Sequence, residues 1–337
     1  MRCEGSAQVK PVLLICPRFF GYYQSMCRAI RSLGYEVDWY DDLPNQTSLP
    51  RALGRLSPNL IKPIVHSYFR NMMQTVQGKK YGKVILVYSM SFCYTQQMMM
   101  ELRACQQNAE FVLYAWDAFT NLRNTDWLLN CFDRCYSFEP EDVQGDDRLK
   151  LLPLFYTDAY DRKNAAPAAH FDFFYYGTAH PQKLLFIDTI AKQLRTRYQN
   201  VFIKHYLPSK LKYIYHKLQD TEVYREYRFS DFTTQKLSME QMAKYVCDAA
   251  CILDAPQKGQ QGLTMRSIEC LGARRKLITA NKGIKAYDFY TEQNIYVCDG
   301  ALDFEHPFFN TPYQELSQSV YQRYSIGSWV KVLLNIT

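Results

Sequence analysis

The sequence predicts an α/β protein made of two Rossmann-like domains facing each other across a cleft. Three observations lead to it. A length of 337 residues suits two cores of ordinary size. Short apolar runs alternate with helical stretches in both halves. The alternation breaks at AYDRKNAAPAAH, residues 159–170, where alanine, proline and charge replace periodicity. The domains are therefore set at residues 1–160 and 171–313, with 314–337 a helical segment placed to pack back on the first.

In the first half, VLLIC (12–16) reads as a strand and PRFFGYY as its glycine loop. A helical stretch ends at Leu33-Gly34, and YEVDWY begins a second strand. Ile61, Ile64, Val65, Tyr68, Phe69, Met72, Met73 and Val76 then fall on one helical stripe. VILVY (84–88) and FVLYA (111–115) add two strands, with the helix SFCYTQQMMMELRACQQ between them. The second half opens on FDFFYYG at Phe171 and continues with a helix from about Pro181 to Tyr198, the strand VFIKHY, a helix from Ser209 and a helix from Ser238. Ser238 and Gln241 have capping-box spacing. CILDA (251–255), KLITA (276–280) and NIYVCD (294–299) complete a sheet. In sheets of this type ligands bind beyond the carboxyl ends of the strands, which is where chemistry is sought.

Composition narrows the class. A hydrophobic content of 47% against 22% charged residues excludes a disordered chain. The 11 cysteines are odd in number and form no CxxC, which argues against a disulfide framework or a zinc site, so they are expected to be buried thiols in a reducing cytoplasm. No apolar run approaches the roughly 20 residues that span a bilayer. The net charge of +7 is concentrated between Leu43 and Met100, where Arg51, Arg55, Lys62, Arg70, Lys79, Lys80 and Lys83 occur with no acid. Such a block suggests an anionic neighbour, and no nucleic-acid motif accompanies it, so an anionic membrane surface met by residues 43–100 is the partner considered. The apolar stripe beside those charges is expected to face the core, with a helix lying on a membrane as the alternative.

The most informative stretch is QQGLTMRSIECLGARRKLITAN, Gln260 to Asn281: a loop, a short helix, a glycine and a strand, with one carboxylate, Glu269, on an otherwise apolar or basic helix. The ordinary reading of Glu269 is an i,i+3 ion pair with Arg266. The run from Gln261 to Glu269 also resembles the E-G-x-G-L-x-x-x-E element of GT-B glycosyltransferases. That resemblance implies that Glu269 binds the ribose hydroxyls of a nucleotide-sugar donor, since a carboxylate offers two acceptors to two adjacent donors. It puts Gly262 at the motif glycine, and Gln261 stands where the family has its first acid, near the donor sugar. A helix starting at Thr264 would aim backbone N–H groups at the diphosphate, and Arg266 is a second phosphate contact. Tyr176-Gly177-Thr178 ends the first strand of the second domain, where Gly177 and Thr178 can approach a pyrophosphate. Lys183 follows in the next helix. On the acceptor side stand Arg18 and Gly21, in the loop after the first strand. Asp117, at the end of YAWD, is the candidate general base, with an N-cap or turn role as its alternative. His66, His180 and His306 have no motif around them.

Over most of its length the chain resembles bacterial capsular and lipopolysaccharide biosynthesis proteins with a GT-B-like fold, related to CgeB-like glycosyltransferases. The matching pieces are LLICPRFFGY, YAWD, CYSFEPED, LLPLFYTDAY, FYYGTAHP, GLTMRSIECLGARRKLITAN and IKAYDFYTEQNIYV. The resemblance implies a metal-independent hexosyltransferase that uses a nucleotide sugar as co-substrate, needs no other cofactor, and builds a surface polysaccharide on a glycan or lipid-linked glycan acceptor. A cytoplasmic location, peripheral to the inner face of the membrane, follows. No D-x-D triplet is present to hold a metal against a diphosphate. A nucleotide-sugar epimerase of the same fold, or a non-catalytic membrane-associated scaffold, are the alternatives.

Overall fold

The apolar runs become the strands of two parallel sheets, because a run buried on both faces needs helices above and below it. A computed structural model describes residues 10–43, 62–90, 92–119, 126–163, 170–219, 221–255 and 261–336. The chain divides into two units, residues 1–153 with 326–337, and residues 154–325.

The first unit runs β1 (Val12–Ile15), α1 (Tyr22–Ser32), β2 (Val37–Tyr40), α2 (Lys62–Val76), β3 (Lys83–Tyr88), α3 (Gln96–Cys105), β4 (Glu110–Ala115), α4 (Asp126–Leu129), β5 (Arg134–Ser137), α5 (Pro140–Gly145) and β6 (Leu149–Leu151). Its strands are all parallel in the order β2-β1-β3-β4-β5-β6. β5 and β6 are additions to the four strands read from the sequence. They are short, and β6 buries only Leu149, so neither has an apolar run to announce it.

The stripe on α2 settles inward. Val65, Phe69, Met72, Met73 and Val76 are buried in the core with Leu13, Ile15 and Leu86 of the sheet, each such burial stabilising by about 1.5–3 kcal/mol. Ile64 is 38% exposed, and Ile61, Arg51 and Arg55 lie outside the described residues. Within the basic block, Lys79 pairs with Asp38 at 2.6 Å and Lys83 with Glu110. The apolar stripe is core, as the sequence leads one to expect, and two of the cations, Lys79 and Lys83, pair with acids of the same unit.

The second unit runs β7 (Phe171–Thr178), α6 (Pro181–Leu194), β8 (Val201–Tyr206), α7 (Lys210–Gln219), α8 (Thr221–Tyr224), β9 (Phe232–Thr233), α9 (Met239–Cys247), β10 (Ala249–Asp254), α10 (Met265–Gly272), β11 (Lys276–Thr279), β12 (Ile295–Val297), α11 (Pro307–Asn310) and α12 (Gln318–Arg323). Strand order is β12-β11-β10-β7-β8-β9, again all parallel. The Ser238–Gln241 capping box forms in both directions at the start of α9. The order reverses between β7 and β10, so the carboxyl ends of those two strands flank a topological switch point, where α/β sheets place ligands.

α13 (Ile326–Leu334) belongs to the first unit. It packs along α1 and buries Ile326, Trp329, Val330, Leu333 and Leu334, with Trp329 edge-on to Tyr114. The division falls at Pro153/Leu154, ahead of the 159–170 break, and the segment from 314 is split at Ser325. The reason is Tyr156: its ring lies against Tyr321, its N–H donates to the Tyr324 carbonyl, and it closes over Gly272. No helix among the described residues is long and apolar enough to cross a membrane. The described cysteines are free thiols, six of them buried.

Candidate functional site

The loop into α10 is fixed from two strand ends. Asp254, the last residue of β10 and 5% exposed, accepts hydrogen bonds from the Thr264 hydroxyl and from the Ser267 hydroxyl at 3.0 Å. Thr264 in turn caps the helix by accepting from the Ser267 N–H at 3.2 Å. Beyond β11, Asn281 donates to the carbonyls of Gln261 at 3.2 Å and Gly262 at 3.1 Å, while its own carbonyl accepts from the Gly283 N–H. A Cβ at Gly283 would stand 2.6 Å from the Gln261 carbonyl, so the close approach requires glycine. Gln261 presents its side chain to solvent and Gly262 is buried; Gln260 lies outside the described residues.

Glu269 is 3% exposed. Its carboxylate pairs with Arg266 at 3.0 Å, the i,i+3 contact of the ordinary reading, and accepts a hydrogen bond from the Tyr160 phenol. Burial, and then Glu269, push the Tyr160 hydroxyl far above its usual value. Because this pair is buried, deleting one partner outright would cost about 3–5 kcal/mol, well beyond a surface i,i+3 pair.

At the neighbouring strand end, Gly177 and Thr178 close β7, with Thr178 exposed. The Tyr175 side chain folds back under the glycine: a Cβ at Gly177 would lie 2.4 Å from its hydroxyl. That phenol is raised by burial and next by Asp254, while Arg266 lowers it, so the β7 end and the α10 start share one electrostatic environment. Lys183 sits in the first turn of α6, half-buried and without an ion pair to any described residue. The two motifs read separately from the sequence therefore meet at the switch point of the second sheet.

In the first unit the carboxyl edge collects a different set. The Arg18 N–H donates to Asp41 at 3.4 Å, its guanidinium lies 3.7 Å from the same carboxylate, and it stacks 4.8 Å from the Trp39 ring. Gly21 takes φ +82°, and Phe20 before it takes φ +44°, a left-handed conformation that costs a bulky residue energy. Asp117 accepts from the Met90 N–H at 2.8 Å and is half-buried. Burial raises its pKa. His306 accepts from the Phe308 N–H as a helix cap, and His66 and His180 are exposed.

Sequence reasoning passed over Asp41, Asp42, Asp254 and Asn281. Asp42 is 1% exposed and accepts from the Ser89 hydroxyl at 2.7 Å. All four stand at or just past the carboxyl end of a strand, the position that singled out Asp117, so the same rule applied evenly finds them. Among the described residues no three His, Cys, Asp or Glu side chains are grouped to hold a metal ion.

Two parallel six-stranded sheets with this helical packing constitute the fold of GT-B glycosyltransferase structures. HepE of Anabaena, solved in complex with UDP and glucose, superposes with a TM-score of 0.55 at 12% identity over 97% of this chain and 98% of its own. The same protein in complex with UDP-glucose gives 0.54 at 11% identity over 96% and 98%. Sucrose-phosphate synthase from Thermosynechococcus elongatus gives 0.54 at 14% identity over 96% and 94%. No protein-family model matches the sequence. No curated protein matches it either.

Proposed function

We propose that the chain is a glycosyltransferase that binds a nucleoside-diphosphate sugar on its second unit and a carbohydrate acceptor on its first. The observation that carries this is the convergence at the β7/β10 switch point of Gly177 and Thr178 with the Thr264-capped start of α10. HepE, with the same fold, is in complex with UDP-glucose. In this reading Gly177 and the first-turn N–H groups of α10 approach the diphosphate, Thr178, Arg266 and Lys183 contact it, and Glu269 accepts from the ribose hydroxyls. Gln261 faces the donor sugar as a neutral hydrogen-bonding group. Arg18 and Gly21 shape the acceptor loop. The acceptor hydroxyl oxygen forms the new bond to the anomeric carbon as the bond to the diphosphate oxygen breaks. The acceptor proton passes to Asp117, and the nucleoside diphosphate leaves with the bonding pair, its charge met by Arg266 and Lys183 without an obligatory metal. The acceptor class proposed is a glycan of a capsule or lipopolysaccharide, carried on lipid, in line with the CgeB-like resemblance.

Calorimetry with UDP, GDP, CMP and dTDP tests the donor site. One of them is expected to bind, and Glu269→Gln, which keeps volume and packing, is expected to weaken it by about 10- to 100-fold, the worth of a charged hydrogen bond of roughly 1.5–3 kcal/mol. No binding to any of the four, or equal affinity in a variant with an unchanged melting temperature, sinks the reading.

A further inference from the structure

The sequence of α7, KLKYIYHKLQ, places Leu211, Ile214, Tyr215 and Leu218 at i, i+3, i+4 and i+7, a single stripe along one face. On a helix packed against a sheet that stripe points to the core. Here it points out: Leu211 is 79% exposed, Leu218 76%, Tyr215 52% and Ile214 45%, and no residue of α7 is buried. The opposite face, which attaches the helix, is polar and aromatic. Tyr213 donates to the Tyr227 carbonyl at 2.8 Å and its ring lies among Tyr224, Phe229 and Phe232. His216 stacks on Tyr224 with rings 5.5 Å apart, and Lys217 donates to the Tyr213 hydroxyl at 3.1 Å. The helix is amphipathic in the inverse sense, fixed by hydrogen bonds and presenting its aliphatic side chains to the surroundings.

Its charges point to the occupant. α7 contains three lysines and no acid. Lys210 and Lys212 stand on either flank of the stripe, with Lys212 4.5 Å from the Tyr215 ring. The chain that follows, 220–228, carries Asp220, Glu222 and Glu226 against Arg225 and Arg228, so the positive charge is concentrated on the helix itself. A second copy docking about a two-fold axis would oppose lysine to lysine, which disfavours self-association. A lipid surface accepts every part at once: leucines enter the acyl boundary, tyrosine sits at the headgroup level, and lysine stems lie along apolar surface while their ammonium groups reach phosphate. At ten residues the helix lies on a bilayer and does not span it.

We propose that α7, residues 210–219, docks the second unit on an anionic lipid surface, a role distinct from donor binding. The test is co-sedimentation of the full chain with vesicles of phosphatidylcholine, alone or with about one third phosphatidylglycerol. Binding to the anionic vesicles that declines with salt is expected, with little binding to the neutral ones. Leu211→Ser combined with Leu218→Ser should lower it by at least about tenfold. Lys210→Glu with Lys212→Glu should remove the preference for anionic lipid. A nitrobenzoxadiazole label at Leu211→Cys should shift to the blue on vesicles. Leu211, Leu218 and Lys210 are exposed and Lys212 is half-buried, with no residue of α7 in the core, so melting temperature and nucleotide affinity should stay those of the parent, which separates failure here from failure of the donor site. Absence of vesicle binding by the parent chain overturns the proposal. So does equal binding by the leucine variant, or a concentration-dependent dimer that the leucine variant abolishes.

Discussion

At Asp117 the Met90 N–H supplies one hydrogen bond, but burial dominates and raises the carboxyl pKa. A carboxyl raised on folding contributes stability below its unfolded pKa, and that contribution is lost as pH rises through the folded value. Ionisation of Asp117 above that value therefore weighs against the first unit. Asp117→Asn keeps an acceptor for Met90 and removes the charge. It is expected to melt at or above the parent temperature at neutral pH, with the gap closing toward about pH 3. Transfer should fall by about 10²- to 10⁴-fold as the base is lost, with nucleotide affinity unchanged. A clear drop in melting temperature at pH 7 contradicts the electrostatic account, and undiminished transfer removes Asp117 from the chemistry. What the sequence shows at this scale depends on distance along the chain. Asp117 and Glu269 stand out because their neighbours form a local pattern. Tyr160, which holds Glu269, is invisible until the fold brings it across.

At the scale of elements, α10 ends at Gly272, where two effects of opposite sign compete. Alanine is favoured over glycine in a helix by about 1 kcal/mol. A Cβ at this position would stand 2.5 Å from the ring of Tyr156, a side chain 1% exposed, and such overpacking costs about 1–3 kcal/mol. Packing should win. Gly272→Ala is expected to lower the denaturation midpoint, and Tyr156→Leu in the same chain should recover part of the loss; a Gly272→Ala protein more stable than the parent shows that the ring can step aside. Strands with apolar runs and helices with caps were legible, as at VLLI and at the Ser238–Gln241 box. The direction of a stripe was not. α2 and α7 carry equally regular stripes, one buried and one exposed, because orientation is decided by what the opposite face can bond to.

For the whole molecule, alternation of strands and helices was enough to predict two α/β units. Their boundary was not legible, because the break in pattern at 159–170 begins after Tyr156 and contains Tyr160, both of them buried and already part of the second unit. This gives a test by dissection. Residues 154–325 expressed alone are expected to melt cooperatively and keep the nucleotide affinity of the full chain. Residues 10–153 alone should not, since they lack Ile326, Trp329, Val330 and Leu333 of α13. A cooperative 10–153 fragment, or an inert 154–325 fragment, contradicts that division. The same helix sets an order of events on the ribosome. The second unit is continuous and can close as soon as it emerges. The first, although translated earlier, must wait with the α1 face uncovered until α13 arrives, so nascent-chain quality control has its longest exposure at the N-terminal half.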